Sequence, residues 1–292
     1  MTDREMIRIT NGLLSAAINP FGAELSHLED AAGRELMTDA DPTFWRGRAP
    51  LLFPIIGRVH GDAIRVDGVD YPMPKHGFVR RSMFELVQAE EARAVFELTD
   101  SEETRLAYPF SFRLEVGFRL DGLTLRTEVR IENPGSDPLP AQFGFHPAFA
   151  WPLPFDHPRE DHRLLFDAEE PDALRGVTPD GFLTGPDRPS PLDGRELRLA
   201  DRLFEHDALV WDPVRSRGLN YGAPDGPQLR VEWDAPRLGV WTLPGARYVC
   251  VEPWHGHADP DGFRGEYRDK PGVFEVPAHG EWRTAMSVTL TP

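Results

Sequence analysis

The chain has 292 residues and a formal net charge of −16, with a pI near 5.0. That length can bury a large core, and that charge excludes nucleic acid and anionic membrane surfaces, which draw basic patches. Cys250 is the single cysteine, which excludes an intramolecular disulfide framework and a thiolate metal cluster.

The opening residues 1–6 are polar and lack the apolar core of a signal peptide, and no apolar run reaches bilayer length. A soluble, cytoplasmic protein is expected. Residues 6–10, 13–19 and 23–28 read as short strands. Asp41-Pro42 can cap a single turn through Trp45. Residues 49–58 are apolar but too broken by proline for a regular strand, and they deliver Gly57-Arg58 at their end. A strand pair spans 64–73 around Asp67-Gly68, and strands follow at 83–88 and 94–98. Ser101 with Glu102 and Glu103 can start a short helix that Pro109 ends.

The clearest pattern comes next. Phe112, Leu114, Val116, Phe118 and Leu120 alternate with polar residues or glycine. After Asp121-Gly122 the alternation resumes with Leu123, Leu125, Thr127, Val129 and Ile131, which predicts a hairpin with a type I′ turn. Residues 152–191 are poorly patterned and rich in Pro, Asp and Gly, so they are expected to form a long surface excursion from one domain spanning residues 1–292. Strands at 197–199, 208–211, 229–233, 240–243 and 282–290 complete the reading. Strands every ten or so residues with Gly and Pro between them indicate an all-β sandwich with few short helices.

Polar residues recur where a plain sandwich has no need of them. In residues 248–259, Tyr248, Cys250, Glu252 and Trp254 share one face of a strand and Val249 and Val251 the other. Pro253 cannot donate to a ladder, so the strand is expected to end or reach an edge there. Glu252 beside Trp254 offers a base next to a flat apolar platform; a strand-end ion pair with an Arg is the plainer alternative. In residues 142–149, Phe143 and Phe145 point to the core, and Gln142, Gly144 and His146 to a cavity or to solvent. His76 sits in a proline-rich turn before Gly77, Arg58 can fork to sugar hydroxyls or brace a sheet edge, and Asp207 precedes a short strand as a ligand or a cap.

Taken together, Lys75-His76-Gly77-Phe78, Gly144-Phe145-His146-Pro147-Ala148-Phe149 and Glu252-Pro253-Trp254 resemble the aldose 1-epimerase (galactose mutarotase) family, in particular its shorter bacterial subgroup. The likeness extends to Asn11-Gly12-Leu13-Leu14, Phe21-Gly22-Ala23-Glu24-Leu25, residues 52–58 and Asp269-Lys270-Pro271-Gly272, nearly the whole chain in order. The resemblance implies a galactose-mutarotase-like β-supersandwich with a sugar groove on one sheet. It implies His146 as general acid, Glu252 as general base, His76 at the ring oxygen, and Arg58 and Asp207 on sugar hydroxyls, with no metal and no cofactor. The partner is a small-molecule sugar, and the protein is expected to be a monomer or homodimer.

Anomer interconversion takes a proton from the C1 hydroxyl and gives one to the ring oxygen. A glutamate is expected to be ionised at neutral pH, and carboxylates around His146 to favour its charged form. Four other readings stand beside this one. A hexose-6-phosphate 1-epimerase needs a cationic pocket, for which Arg80, Arg81 and Arg48 are candidates. A non-catalytic carbohydrate-binding module needs no acid/base pair. A metal site on His255, His257 and Asp259 is a third, set against the turn expected around Pro253 and Gly256. A glycosidase built on Glu252 and Asp207 leaves His146 without a role.

Overall fold

The computed structural model describes residues 6–292; residues 1–5, part of the polar opening, lie outside it. Two large antiparallel sheets dominate. One has nine strands and runs from Glu196–Arg198 through Arg163–Phe166, Gly218–Gly222, Gln228–Trp233, Glu281–Thr291, Thr124–Glu132, Arg113–Asp121 and Arg93–Thr99 to Glu85–Glu90. The other runs from Leu183–Arg188 through Leu174–Val177, Leu209–Trp211, Arg237–Trp241 and Tyr248–His255 to Phe143–Phe145 and Leu51–Leu52, with Ala148–Ala150 also paired to Tyr248–His255. One hydrophobic core takes side chains from both sheets, including Val116, Phe118 and Val129 from the first and Leu238, Val249 and Val251 from the second. This is the expected all-β sandwich. Among the described residues no helix is long and apolar enough to cross a membrane.

Alternation decides which side chains fill that core. Leu114, Val116, Phe118 and Leu120 are buried, and the register sets Leu120 against Leu125 and Val116 against Val129. The turn differs from expectation. Asp121 pairs with Thr124, so Gly122-Leu123 is the loop, and only Gly122 has positive φ. That is the glycine-first pattern of a type II′ turn, not type I′. The I′ pattern is found instead at Asp67-Gly68, where both residues have positive φ between the paired Val66 and Val69. The short helix Glu102–Arg105 carries a reciprocal cap between Ser101 and Thr104.

Two expectations are corrected. Residues 152–191 are no mere surface excursion: they supply Arg163–Phe166 to one sheet and Leu174–Val177 with Leu183–Arg188 to the other, burying Leu164, Phe166 and Leu174. Strands of four to six residues hold too few alternations to stand out between prolines. Nor does the strand end at Pro253. Tyr248–His255 continues through it, with Pro253 opposite Leu238. The Val251 N–H donates to Pro147 O at 3.2 Å. Because N–H directions repeat every second residue, Pro253 faces the same side, where the partner chain is interrupted between Phe145 and Ala148. The absent donor therefore falls at a gap in the ladder.

Candidate active site

That gap organises the site. Phe143–Phe145 and Ala148–Ala150 both pair with Tyr248–His255, but His146 and Pro147 leave the ladder between them. His146 is thereby released opposite Glu252, with Nε2 3.2 Å from Glu252 Oε2. Both side chains are buried, and Cys250 lies close enough that its sulfur, a His146 ring nitrogen and a Glu252 oxygen fall within 4.8 Å of one another. Tyr248, Cys250 and Trp254 face this side of the strand, while Val249 and Val251 enter the main core, as the alternation predicts.

A cavity of about 590 Å³ opens over the pair, lined among others by Trp45, His76, Arg80, Asp207, Trp241 and Trp254. Its size suits a small organic ligand. The capped turn at Asp41 aims one wall: Asp41 Oδ1 accepts the Thr43 N–H at 2.8 Å and its carbonyl accepts those of Phe44 and Trp45. The Trp45 ring centroid stands 5.0 Å from that of His146, and Trp241 meets His146 edge-on at 5.9 Å. Sequence reasoning did not single out either tryptophan as a site residue. The expected turn through Trp45 and the nearby strand through Trp241 were the available signals.

Trp254 lies across its own sheet. A Cβ on Gly144, its direct strand partner, would come 2.8 Å from the indole Cδ1, and one on Gly239 would come 2.5 Å from Cη2. Two glycines on the two flanking strands thus make room for one indole. Its buried Nε1 acts on the Glu252 carboxyl, whose ionised form it favours, and the residue faces the cavity.

His76 is fixed through its backbone. His76 and Gly77 both have positive φ, and a Cβ on Gly77 would overlap the Phe53 carbonyl. The His76 N–H donates to Gly57 O at 2.8 Å, and Gly57 N–H donates to His76 Nδ1 at 3.1 Å. A neutral imidazole that accepts at Nδ1 carries its proton on Nε2. Burial holds the His76 pKa well below the ordinary value, helped by the neighbouring His146, Lys75 and Arg80.

The electrostatics reverse the expectation drawn from the sequence. Burial pushes the Glu252 carboxyl well above its ordinary pKa, and the Asp207 charge adds to this. Burial also drives His146 down to about 3. Desolvation of the charged forms outweighs the favourable carboxylate expected beside His146. These two shifts put the pair's proton on Glu252 and leave His146 neutral, the opposite of a carboxylate beside an imidazolium.

The other predicted residues divide. Asp207 has positive φ, accepts the Ala208 N–H on Oδ1 at 2.8 Å, and lines the cavity. Arg58 follows the cavity-lining Gly57, but its guanidinium pairs with Asp62 at 2.9 and 3.1 Å and does not line the cavity. Arg80 lines it with Nε buried and unpartnered, as does Lys75; Arg81 is exposed outside it. Arg48 is structural, donating to the carbonyls of Ser26 and Thr38. His255, His257 and Asp259 do not converge. His255 Nε2 meets Thr284 Oγ1 at 2.9 Å, His257 Nδ1 meets Ala258 O at 2.6 Å, and Asp259 pairs with Lys270 at 3.1 Å.

Comparison with known proteins bears on the whole chain. Protein LacX of Lactococcus lactis subsp. lactis is 32% identical over 281 residues, 92% of this chain and 94% of the relative. A galactose mutarotase related enzyme from Lactobacillus acidophilus superposes with a TM-score of 0.90 at 29% identity, covering 99% of this chain and 98% of that one. A galactose mutarotase-like protein from Lactobacillus casei gives 0.91 at 28% identity, covering 98% and 100%. The aldose 1-epimerase family model matches residues 5–262, a span that contains His76, His146, Glu252 and every strand that positions them, so the chain belongs to the aldose 1-epimerase family.

Proposed function

We propose that the protein interconverts the α and β anomers of a free aldohexose of glucose or galactose type. The observation that carries this reading is the His146–Glu252 pair, 3.2 Å apart at the base of a cavity of sugar size. At rest burial favours the pair's proton on Glu252, and reaction begins from the form in which it has moved to His146. With the proton on His146, Glu252 is a carboxylate and accepts the proton of the C1 hydroxyl while His146 donates to the ring oxygen. The electron pair of the O1–H bond becomes the C1=O1 π bond, and the C1–O5 pair departs to O5. The pair then stands as neutral histidine and protonated glutamate, the other placement of its proton, and its charge balance is unchanged. Rotation about C1–C2 and reclosure by the reverse transfers yield the second anomer. Neutral His76 donates from Nε2 toward the ring oxygen or an adjacent hydroxyl, and Trp254 supplies an apolar face.

Polarimetry on freshly dissolved α-glucose and α-galactose tests this. Acceleration over the spontaneous rate, unaffected by a chelator, supports it; tight sugar binding with no acceleration points to a non-catalytic binding protein instead. A second reading, a hexose 6-phosphate as substrate, is favoured by Lys75 and Arg80 on the cavity wall. Turnover of glucose 6-phosphate far above that of glucose establishes it.

A further inference from the structure

The motif Asp269-Lys270-Pro271-Gly272 takes no part in the chemistry above, yet it holds one of the most deeply buried charges in the molecule. Lys270 is 2% exposed. Its Nζ lies 3.1 Å from Asp259 Oδ1 and donates to Gln142 Oε1 at 3.2 Å. Both acceptors also hold the irregular segment from Ile56 to His60. Gln142 Oε1 accepts the Ile56 N–H at 3.1 Å, and Asp259 Oδ2 accepts the His60 N–H at 2.8 Å. The Asp259 N–H donates to Arg58 O at 2.9 Å. Between these attachments lies Gly57, whose N–H and carbonyl both bond His76.

No slack remains around the segment. A Cβ on Gly57 would overlap Ala258, and one on Gly256 would come 2.6 Å from the Gln142 side chain. An ammonium suits the centre of this cluster because it offers three donors and a compact charge opposite the Asp259 carboxyl. Burial lowers the Lys270 pKa to about 8, with Asp259 acting to hold it up.

We infer that Lys270 is a positioning residue: through Gln142 and Asp259 it fixes residues 56–60, and through Gly57 it sets His76 in the tautomer that carries its proton on Nε2. Lys270 touches neither the cavity nor the reacting atoms. The use made of His76 rests on the proposed epimerase reading; the chain of hydrogen bonds does not.

The test follows the tautomer. Long-range ¹H–¹⁵N NMR on labelled protein reads which His76 nitrogen is protonated, with circular dichroism to establish folding. Two variants are compared with the wild type: K270M, and D259N/K270M, which leaves no unpaired carboxylate behind. Wild type is expected to show a single Nε2–H form. The folded variants are expected to show averaged nitrogens, with kcat lower by about tenfold or more, as for other losses of orientation. KM should move by no more than about twofold, since binding is largely untouched. If neither variant folds, Gln142→Met carries the same measurement, removing only the acceptor shared by Lys270 and Ile56. Retention of the Nε2–H form in a folded variant overturns the inference whatever the rate does. That readout needs no turnover, so its failure is distinct from failure of the epimerase reading.

Discussion

His146 Nε2 meets Glu252 Oε2 at 3.2 Å because the strand partner of Glu252 is interrupted there. A continuous ladder would have kept His146 in a paired strand. The break between Phe145 and Ala148 instead sets His146 beside Glu252, with Trp45 and Trp241 against the imidazole.

Removing either member of the pair should abolish most of the activity. Glu252→Gln and His146→Asn are each expected to lower the polarimetric rate constant by roughly 10²–10⁴-fold, the usual worth of a positioned acid or base. Circular dichroism should remain that of the wild type. A rate within a few-fold of wild type in either variant sinks the assignment.

Glu252 also makes stability depend on pH with a defined sign. Its folded pKa lies above the ordinary 4.5 because burial disfavours the carboxylate. Its contribution is therefore complete below about pH 4.5 and is lost as the pH rises toward the folded value, by at most about 1.4 kcal/mol per pH unit. Glu252→Gln removes that loss. Urea denaturation should show the variant gaining on the wild type as the pH rises above 4.5, with the difference vanishing near pH 4.5; a gap that widens toward acid contradicts the burial account.

Asp207 raises the Glu252 pKa through its charge. Asp207→Asn should shift the alkaline limb of the kcat/KM profile to lower pH, because the shared proton is then lost more easily. KM should rise as well if the side chain reads a sugar hydroxyl. An unmoved limb would separate Asp207 from the pair.

The indole platform depends on two missing Cβ atoms. Gly239→Ala places a methyl 2.5 Å from Trp254 Cη2. The indole must shift, at a cost of about 1–3 kcal/mol in unfolding free energy. Sugar affinity by calorimetry should fall with it. A Gly239→Ala protein of unchanged affinity would show that the ring plays no part in binding.

Much of this was legible in the sequence for a specific reason. Long runs such as 112–131 repeat the two-residue period often enough to declare both strand and face, and Glu252 and Val251 were assigned opposite sides by the same period. The strands at Arg163–Phe166 and Leu174–Val177 were missed because four residues hold too few alternations among the prolines and glycines of 152–191. Arg58 reads from sequence as a binder of sugar hydroxyls or a sheet-edge brace, and its pairing with Asp62 four positions on is seen only in the structure.

By itself the sequence determined the all-β sandwich and the family likeness, and it singled out His146 and Glu252, since these rest on local period and on motif order. Only the tertiary structure decided the charge state of that pair. Desolvation depends on what surrounds a group from every direction, and neither Trp45 nor Trp241 is near His146 or Glu252 in the way that sequence neighbours are. The same holds for Lys270: a lysine in a surface-like motif becomes a buried support because Gln142 and Asp259, distant in the chain, converge on its ammonium.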